Sequence, residues 1–331
     1  MEKANETDPN ADRIRYPEPS DLGAIVRLIR ERDLMVHGGP DLSEAELRAD
    51  WGSMDLARDA RLALGPHGEA IVGYAAASAG GPGRVDVEFY ARPDAANGDA
   101  GSRLLRWAER RAGELAAEAF PDRSRRPSDV RTAVLQCAVG AADATARGLL
   151  ESAGYTLARV FFYMEADLGE ETPGPALPEG LELRVLPGGR LGPGVSLAVE
   201  ESFRDHWGHS PGALEAWARS RKAQGAAPGT WLAATEGGEI AGAVFCAPQH
   251  EGCLIEWLAV RRPWRRRGLG LALLFGTFRR LREHGVRRVS LVVDSESPTG
   301  ATRLHERAGM HAERSYAVYR KGLRRGAGRR G

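Results

Sequence analysis

The run RRPWRRRGLG, residues 261–270, carries the strongest chemical signal in the chain. Arg265, Gly268 and Gly270 stand in an Arg-x-x-Gly-x-Gly spacing, behind the apolar stretch CLIEWLAV and ahead of a helical pattern. A strand, a loop and a helix opening on glycines present unpaired backbone N–H groups and the positive end of a helix dipole. That is an anion site by construction. Glycine keeps a Cβ out of the way of a phosphate, and arginine adds charge and forked donors. The neighbours narrow the choice of phosphate. Leu271-Ala272 follows Gly270 where a nucleoside triphosphate loop needs Lys-Ser/Thr, and Leu273 fills the third small position of a dinucleotide fingerprint. Trp264 is the one aromatic in the run, and the formal net charge of +1 gives no global basic field, so no nucleic-acid partner is expected.

The elements around the loop occur twice. ESAGYTLARVFFYMEADL from Glu151 and ERAGMHAERSYAVYRKGL from Glu306 align without gaps: a helix ending near Ala-Gly, then a strand. VDVEFYARPD from Val85 parallels LIEWLAVRRP from Leu254 with one residue of slippage, and each runs into a loop and an amphipathic helix. In the second copy Leu271, Leu274, Phe275, Phe278 and Leu281 give the i, i+3, i+4, i+7 stripe of a core-facing helix. Between the copies, residues 169–180 (GEETPGPALPEG) read as a linker. The organisation expected is residues 1–11 disordered, a first domain 12–168, the linker 169–180, a second domain 181–323, and a basic tail 324–331. The fold class is α+β (mixed α/β), since helices and several strands alternate irregularly in each copy.

At 331 residues the chain has room for two domains, and a hydrophobic share of 42% supports packed cores. No apolar run approaches the roughly 18 residues of a membrane span, so no membrane partner is expected. Cys137, Cys246 and Cys253 have neither paired metal spacing nor a disulfide pattern; they read as reduced core thiols of a cytoplasmic protein.

With the loop, the strand end LAV and the stretch VDSESPTGATRLHERAGM from Val293, the sequence resembles the GNAT superfamily of acyl-CoA-dependent acyltransferases. The resemblance extends over both copies, a tandem arrangement similar to that of mycothiol synthases. It implies two tandem GNAT folds, each a mostly antiparallel twisted sheet flanked by helices, in which the fourth and fifth strands splay apart. It implies acetyl-CoA as co-substrate, no metal, and a small-molecule amine acceptor attacked directly in a ternary complex, in a monomer or homodimer. The backbone of Leu258, Ala259 and Val260 would meet the pantetheine arm and thioester. The N–H groups of Arg266, Arg267, Gly268, Leu269 and Gly270 would hold the pyrophosphate, with Arg265 adding charge.

Glu256 is the candidate base, on the face of Leu258, with a structural ion pair as the competing reading. His305 stands where the family often has a tyrosine acid, with a plain helix histidine as the alternative. Ser297 stands at an asparagine that contacts the arm. His206, Trp207 and His209, in FRDHWGHSP, fall where acceptor-binding loops lie; their HxxH spacing lacks a third ligand for zinc. The first copy has Ala96 for Arg265, Asp99 for Gly268 and Leu150 for His305, with Glu88 at the position of Glu256. An aspartate in a phosphate cradle is repulsive, so catalysis is expected in the second copy alone. A non-catalytic acetyl-CoA-binding module or sensor is the alternative function.

Overall fold

The computed structural model describes residues 14–39, 42–52, 54–65, 70–81, 83–92, 100–119, 133–169, 174–186, 192–223, 229–249 and 252–323. The two expected termini, 1–11 and 324–331, and the loop positions Ala96 and Asp99 lie outside them.

The chain forms two compact units, residues 1–158 with 316–331, and residues 159–315. The first contains β1 (Ile14–Arg15), β2 (Ala60–Leu64), β3 (Ile71–Gly81), β4 (Arg84–Ala91) and β5 (Ala133–Gly140). Its helices are α1 (Leu22–His37), α2 (Glu44–Trp51), α3 (Leu56–Asp59), α4 (Ala100–Ala119) and α5 (Ala144–Ser152). All its strand pairs are antiparallel except β4–β5. The second unit contains most of β6 (Thr156–Asp167), then β7 (Glu182–Leu186), β8 (Thr230–Glu236), β9 (Glu239–Gln249), β10 (Gly252–Val260) and β11 (Arg288–Asp294). Its helices are α6 (Pro193–Phe203), α7 (Ala213–Ala223), α8 (Leu269–Glu283) and α9 (Ala301–Arg307). Here β10–β11 is the parallel pair.

The linker does not mark the boundary in space. The last strand of each sequence copy serves the other unit. β6 pairs antiparallel with β11, from Phe161↔Asp294 to Asp167↔Arg288. β12 (His311–Leu323) pairs with β5 from Tyr316↔Gly140 to Leu323↔Ala133. The expected boundaries at 168 and 181 therefore mark where the repeat restarts, while hydrogen bonding moves one strand each way. Repeat alignment cannot reveal this, because either copy's last strand satisfies the same backbone groups.

Alternation sets the faces. On β4, Val85, Val87, Phe89 and Ala91 are buried with Leu104, Leu105 and Ala108 of α4. On the other face Ile25 and Ile29 of α1 and Trp51 of α2 cover Leu62 and Tyr74. The second unit repeats this, with Leu269, Leu273, Leu274 and Phe278 of α8 on one face and Val195, Val199 and Leu214 on the other. The three cysteines are free and buried.

Both Ala-Gly helix ends close as left-handed caps. Gly154 and Gly309 have φ of 85° and 86°, and the next residues, Tyr155 and Met310, donate N–H bonds of 3.0 Å back to Leu150 O and His305 O. Positions 150 and 305 are thus structurally equivalent.

A chain ending at residue 168 lacks the β12 segment that covers β5. It is expected to show no cooperative urea transition by near-UV circular dichroism, and appending residues 311–323 through a flexible linker should restore one.

Candidate functional site

β10 and β11 pair for only three residues, Cys253 to Ile255 with Val289 to Leu291. β11 then continues along β6 to Asp294, and β10 continues along β9 to Val260↔Gly242. The strands fork after Ile255, and among the described residues the β11-facing edge of Leu258, Ala259 and Val260 has no strand partner. An edge of this kind accepts an extended, amide-bearing ligand by strand addition. The fork begins at a bulge: the register with β9 shifts between Ile255 and Trp257, making Glu256 the extra residue.

Beyond the fork, Trp264 is buried and donates its indole N–H to Glu236 Oε2 at 2.7 Å, which pins the loop. Arg266 has φ +65° and Gly268 φ +82°. No side chain caps the start of α8 at Gly268, so the first-turn N–H groups have no intrahelical acceptor. Gly270 packs closely on α9: a Cβ there would come within 3.1 Å of a Leu304 methyl group.

Most of the arginine charge is already compensated. Arg261 pairs with Glu201 at 2.7 Å, Arg262 with Asp205, and Arg267 with Glu236 at 3.5 Å. Arg265, expected to add charge at a phosphate, bonds Val260 O through Nε at 3.0 Å and Ser202 O through Nη2 at 3.1 Å. It ties the end of β10 to α6, because both chain ends expose carbonyls that need donors. Among the described residues the exposed Arg266 guanidinium makes no ion pair or hydrogen bond.

Glu256 is not a free carboxylate. Oε1 accepts from Arg221 Nη1 at 2.7 Å and Oε2 from the Trp217 indole N–H. Trp217 and Arg221 lie one turn apart on α7, so one helix face engages both carboxylate oxygens.

His305 is 5% exposed, and its Nδ1 is shut from solvent with no hydrogen-bond partner. Burial pushes its pKa down to about 4, which leaves the ring neutral at pH 7. The Ser297 hydroxyl lies 3.0 Å from Thr299 Oγ1, in the turn that joins β11 to α9.

The loop after α6 packs against β6, the strand beside β11. Trp207 meets Phe161 of β6 at 6.0 Å between ring centroids, with the Arg159 guanidinium 5.8 Å from its ring. Arg159 in turn pairs with Glu296 and lies 3.6 Å from Asp294. His206 packs on Phe203 at 4.6 Å, and His209 lies 3.5 Å from Glu200. His206 and His209 are thus engaged differently, and no group of three metal-ligating side chains occurs among the described residues. Burial, then the positive Arg265, lowers the His206 pKa. Sequence spacing gave no sign of Arg159 and Phe161, which belong to the first sequence copy. Trp217 and Arg221 had a faint one, an i, i+4 aromatic–arginine pair.

The first unit has the same fork under different control. β4 and β5 pair only over Arg84–Asp86 and Val134–Gln136. The closing pairs Gly73↔Ala91 and Gly242↔Val260 are equivalent, each followed by an N–H bond one residue on, Arg92 to Val72 O and Arg261 to Ala241 O. Counting back, Glu88 matches Trp257. The expected match of Glu88 to Glu256 fails because of the bulge. From α1 the buried Arg32 bonds both Ala91 O, at the end of β4, and the buried Asp143, at the head of α5. One guanidinium therefore bridges the two tines.

A profile of the Acetyltransferase (GNAT) family matches residues 195–310. A GCN5-related N-acetyltransferase from Sphaerobacter thermophilus is 32% identical, with a TM-score of 0.77 over 95% of this chain and 96% of that one. The chain belongs to the GNAT acetyltransferase family. A tandem GNAT protein from the clavulanic acid biosynthesis pathway shares the fold, with 16% identity and a TM-score of 0.68 over 93% of this chain and 98% of that one. Mycothiol acetyltransferase of Thermobispora bispora is 30% identical over 175 residues, which make up 51% of this chain and 59% of that protein. The chain thus spans about three fifths of the length of that relative. Membership in the GNAT family implies N-acetyltransferase chemistry of class EC 2.3.1, with acetyl-CoA as the co-substrate. No helix among the described residues is long and apolar enough to cross a membrane.

The low pKa of His305 has a stability consequence. Unfolded, the ring titrates near 6.5; folded, near 4. Acid therefore favours the unfolded chain, and stability present above pH 6.5 is lost as pH falls toward 4, by roughly 3 kcal/mol at one 1.36 kcal/mol step per unit. His305→Leu, which copies the buried Leu150 of the first unit, should remove that part of the acid sensitivity. Urea midpoints at pH 7.5 and pH 4.5 measure it.

Proposed function

We propose that the second unit transfers an acetyl group from acetyl-CoA to the primary amine of a small molecule, by direct attack in a ternary complex. The observation that carries this reading is the fork: an unpaired strand edge at Leu258–Val260 leading to an uncapped helix start at Gly268. The two fit the two ends of one ligand. Backbone groups of the edge pair with the amides of the pantetheine arm, and a backbone N–H of the same edge stabilises the tetrahedral oxyanion. The N–H groups of Gly268, Leu269 and Gly270 hold the pyrophosphate, helped by Arg266. The amine approaches from the face of α6 and α7, where Phe203, Trp207 and Trp217 offer ring surfaces. The first unit serves as a non-catalytic partner. A ligand arm entering its fork would have to displace the buried Arg32–Asp143 pair, and breaking such a pair costs about 3–5 kcal/mol.

A second reading, a non-catalytic acetyl-CoA sensor, draws support from the engaged Glu256 and the neutral His305, since neither expected proton carrier is free. CoA release followed with amino sugars, amino acids and polyamines separates the two. Amine-dependent release supports transfer; saturable acetyl-CoA binding without release supports the sensor.

Gly268→Asp, which brings into the second copy the aspartate of the first, is expected to raise the KM for acetyl-CoA at least tenfold, or about 1.4 kcal/mol. Asp99→Ala should leave turnover within twofold. Steady-state kinetics of the two variants side by side check both.

A further inference from the structure

Three ring nitrogens on the α6–α7 side of the second unit are closed to solvent and have no hydrogen-bond partner: Trp231 Nε1 in the fully buried core and, around Phe203, His206 Nδ1 and Trp257 Nε1. The rings of His206 and Trp257 pack on Phe203, at centroid distances of 4.6 and 5.0 Å. A buried polar atom without a partner is rare in native proteins and calls for a missing donor or acceptor. The indole can only donate, whereas a neutral imidazole offers one bare nitrogen. The pair on one benzyl ring therefore suits a ligand that brings both an acceptor and an N–H.

We infer that His206 is the group that takes the proton of the incoming amine, with Nδ1 as its accepting atom. The inference rests on the acetyl-transfer reading above and assigns its missing base. An ammonium, R–NH3+, gives one proton to His206 Nδ1. The freed lone pair forms the C–N bond at the thioester carbon. The tetrahedral adduct collapses with cleavage of C–S, and its second N–H proton goes to the departing thiolate. The imidazolium gives up its proton once the products have left, leaving an amide, a thiol and one proton in all.

The surroundings keep the ring receptive. Arg265 of the loop after β10 and Asp294 at the end of β11 face it, as do Asp205 and His209 of its own loop. Burial is the largest influence and Arg265 the next; both lower the pKa from 6.5, so the ring is neutral at pH 7. The backbone holds it as well, through the His206 N–H to Phe203 O at 2.9 Å and the His209 N–H to His206 O at 3.1 Å. Glu256 then has the separate task of fastening α7 to β10 through Arg221 and Trp217.

Two measurements test this on the full chain. The first needs no acceptor: 15N spectra of histidine-labelled protein at pH 7.5, with His206 assigned by its loss in His206→Asn. A bare Nδ1 is expected, and a proton on Nδ1 overturns the inference. The second uses glucosamine, whose ring faces suit the aromatic wall, with acetyl-CoA saturating. Wild-type kcat/KM should show an acid limb below pH 6.5. His206→Asn should lower kcat at least 100-fold, keep the KM for acetyl-CoA within twofold as proof of an intact fork, and lose the limb. Glu256→Gln should retain it. A limb that survives in His206→Asn, or disappears in Glu256→Gln, overturns the inference. If the wild type releases no CoA with any amine, the transfer reading fails and the 15N spectrum alone decides the state of His206.

Discussion

The second unit is organised around a ladder that stops. After Ile255 and Leu291 the parallel strands β10 and β11 have no more bonds for each other. Backbone N–H and C=O groups cannot be left bare in a core, so each separated tine needs its own support. β10 keeps β9 on its other edge, with Gly242 there because a Cβ would lie 2.7 Å from Ala259 O. Its last carbonyl, Val260 O, is taken by Arg265. β11 keeps β6, and the carboxylate of Asp294 at its tip caps the Glu296 N–H at 2.9 Å and faces Arg159. What is left open is one edge of β10, and the loop and helix that follow it are shaped to the same opening.

That arrangement changes the meaning of the arginine run. Its charge is largely neutralised by Glu201, Asp205 and Glu236. The more exposed of these pairs, at Asp205 and Glu236, add little stability, but together the three fix where their guanidiniums sit and reduce repulsion among five cations in one loop. In the function proposed above, the anion meets oriented N–H groups at the start of α8, which neither titrate nor need to be recruited. Local neutrality also explains how a chain of net charge +1 can hold so cationic a segment.

Sequence made the repeat, the glycine caps at Gly154 and Gly309, and the loop at Gly268 legible, because each rests on a local backbone requirement that few residue types meet. The helix stripe was legible too, though burial on α8 also includes Leu269, Leu273 and Thr277, a wider face than the stripe implied. The crossing of β6 and β12 was not legible. Either strand has the pattern to complete either sheet, and only the folded chain chooses. The bulge was likewise hidden, since one extra residue leaves the apolar pattern of CLIEWLAV intact while moving Glu256 out of register with Glu88. Partners arriving from distant segments, Arg221 on Glu256 and Arg159 beside Trp207, leave no trace in spacing.

The two copies also show how one inward position decides what a fork can do. On α1 the buried face runs Ile25, Ile29, Arg32; on α6 it runs Val195, Val199, Ser202, with the same i, i+4, i+7 spacing. At the third position the first unit has a long cation and the second a hydroxyl that turns back onto Ala198 O at 2.6 Å. The long side chain spans to Asp143 and joins the tines; the short one leaves the second fork unbridged, and the carbonyl of Val260 is served instead by Arg265 from its own loop. Both solutions satisfy the carbonyl at the end of the fourth strand of the copy. Only the second does so without filling the gap, so the requirement for backbone satisfaction and the requirement for an open edge are met together there.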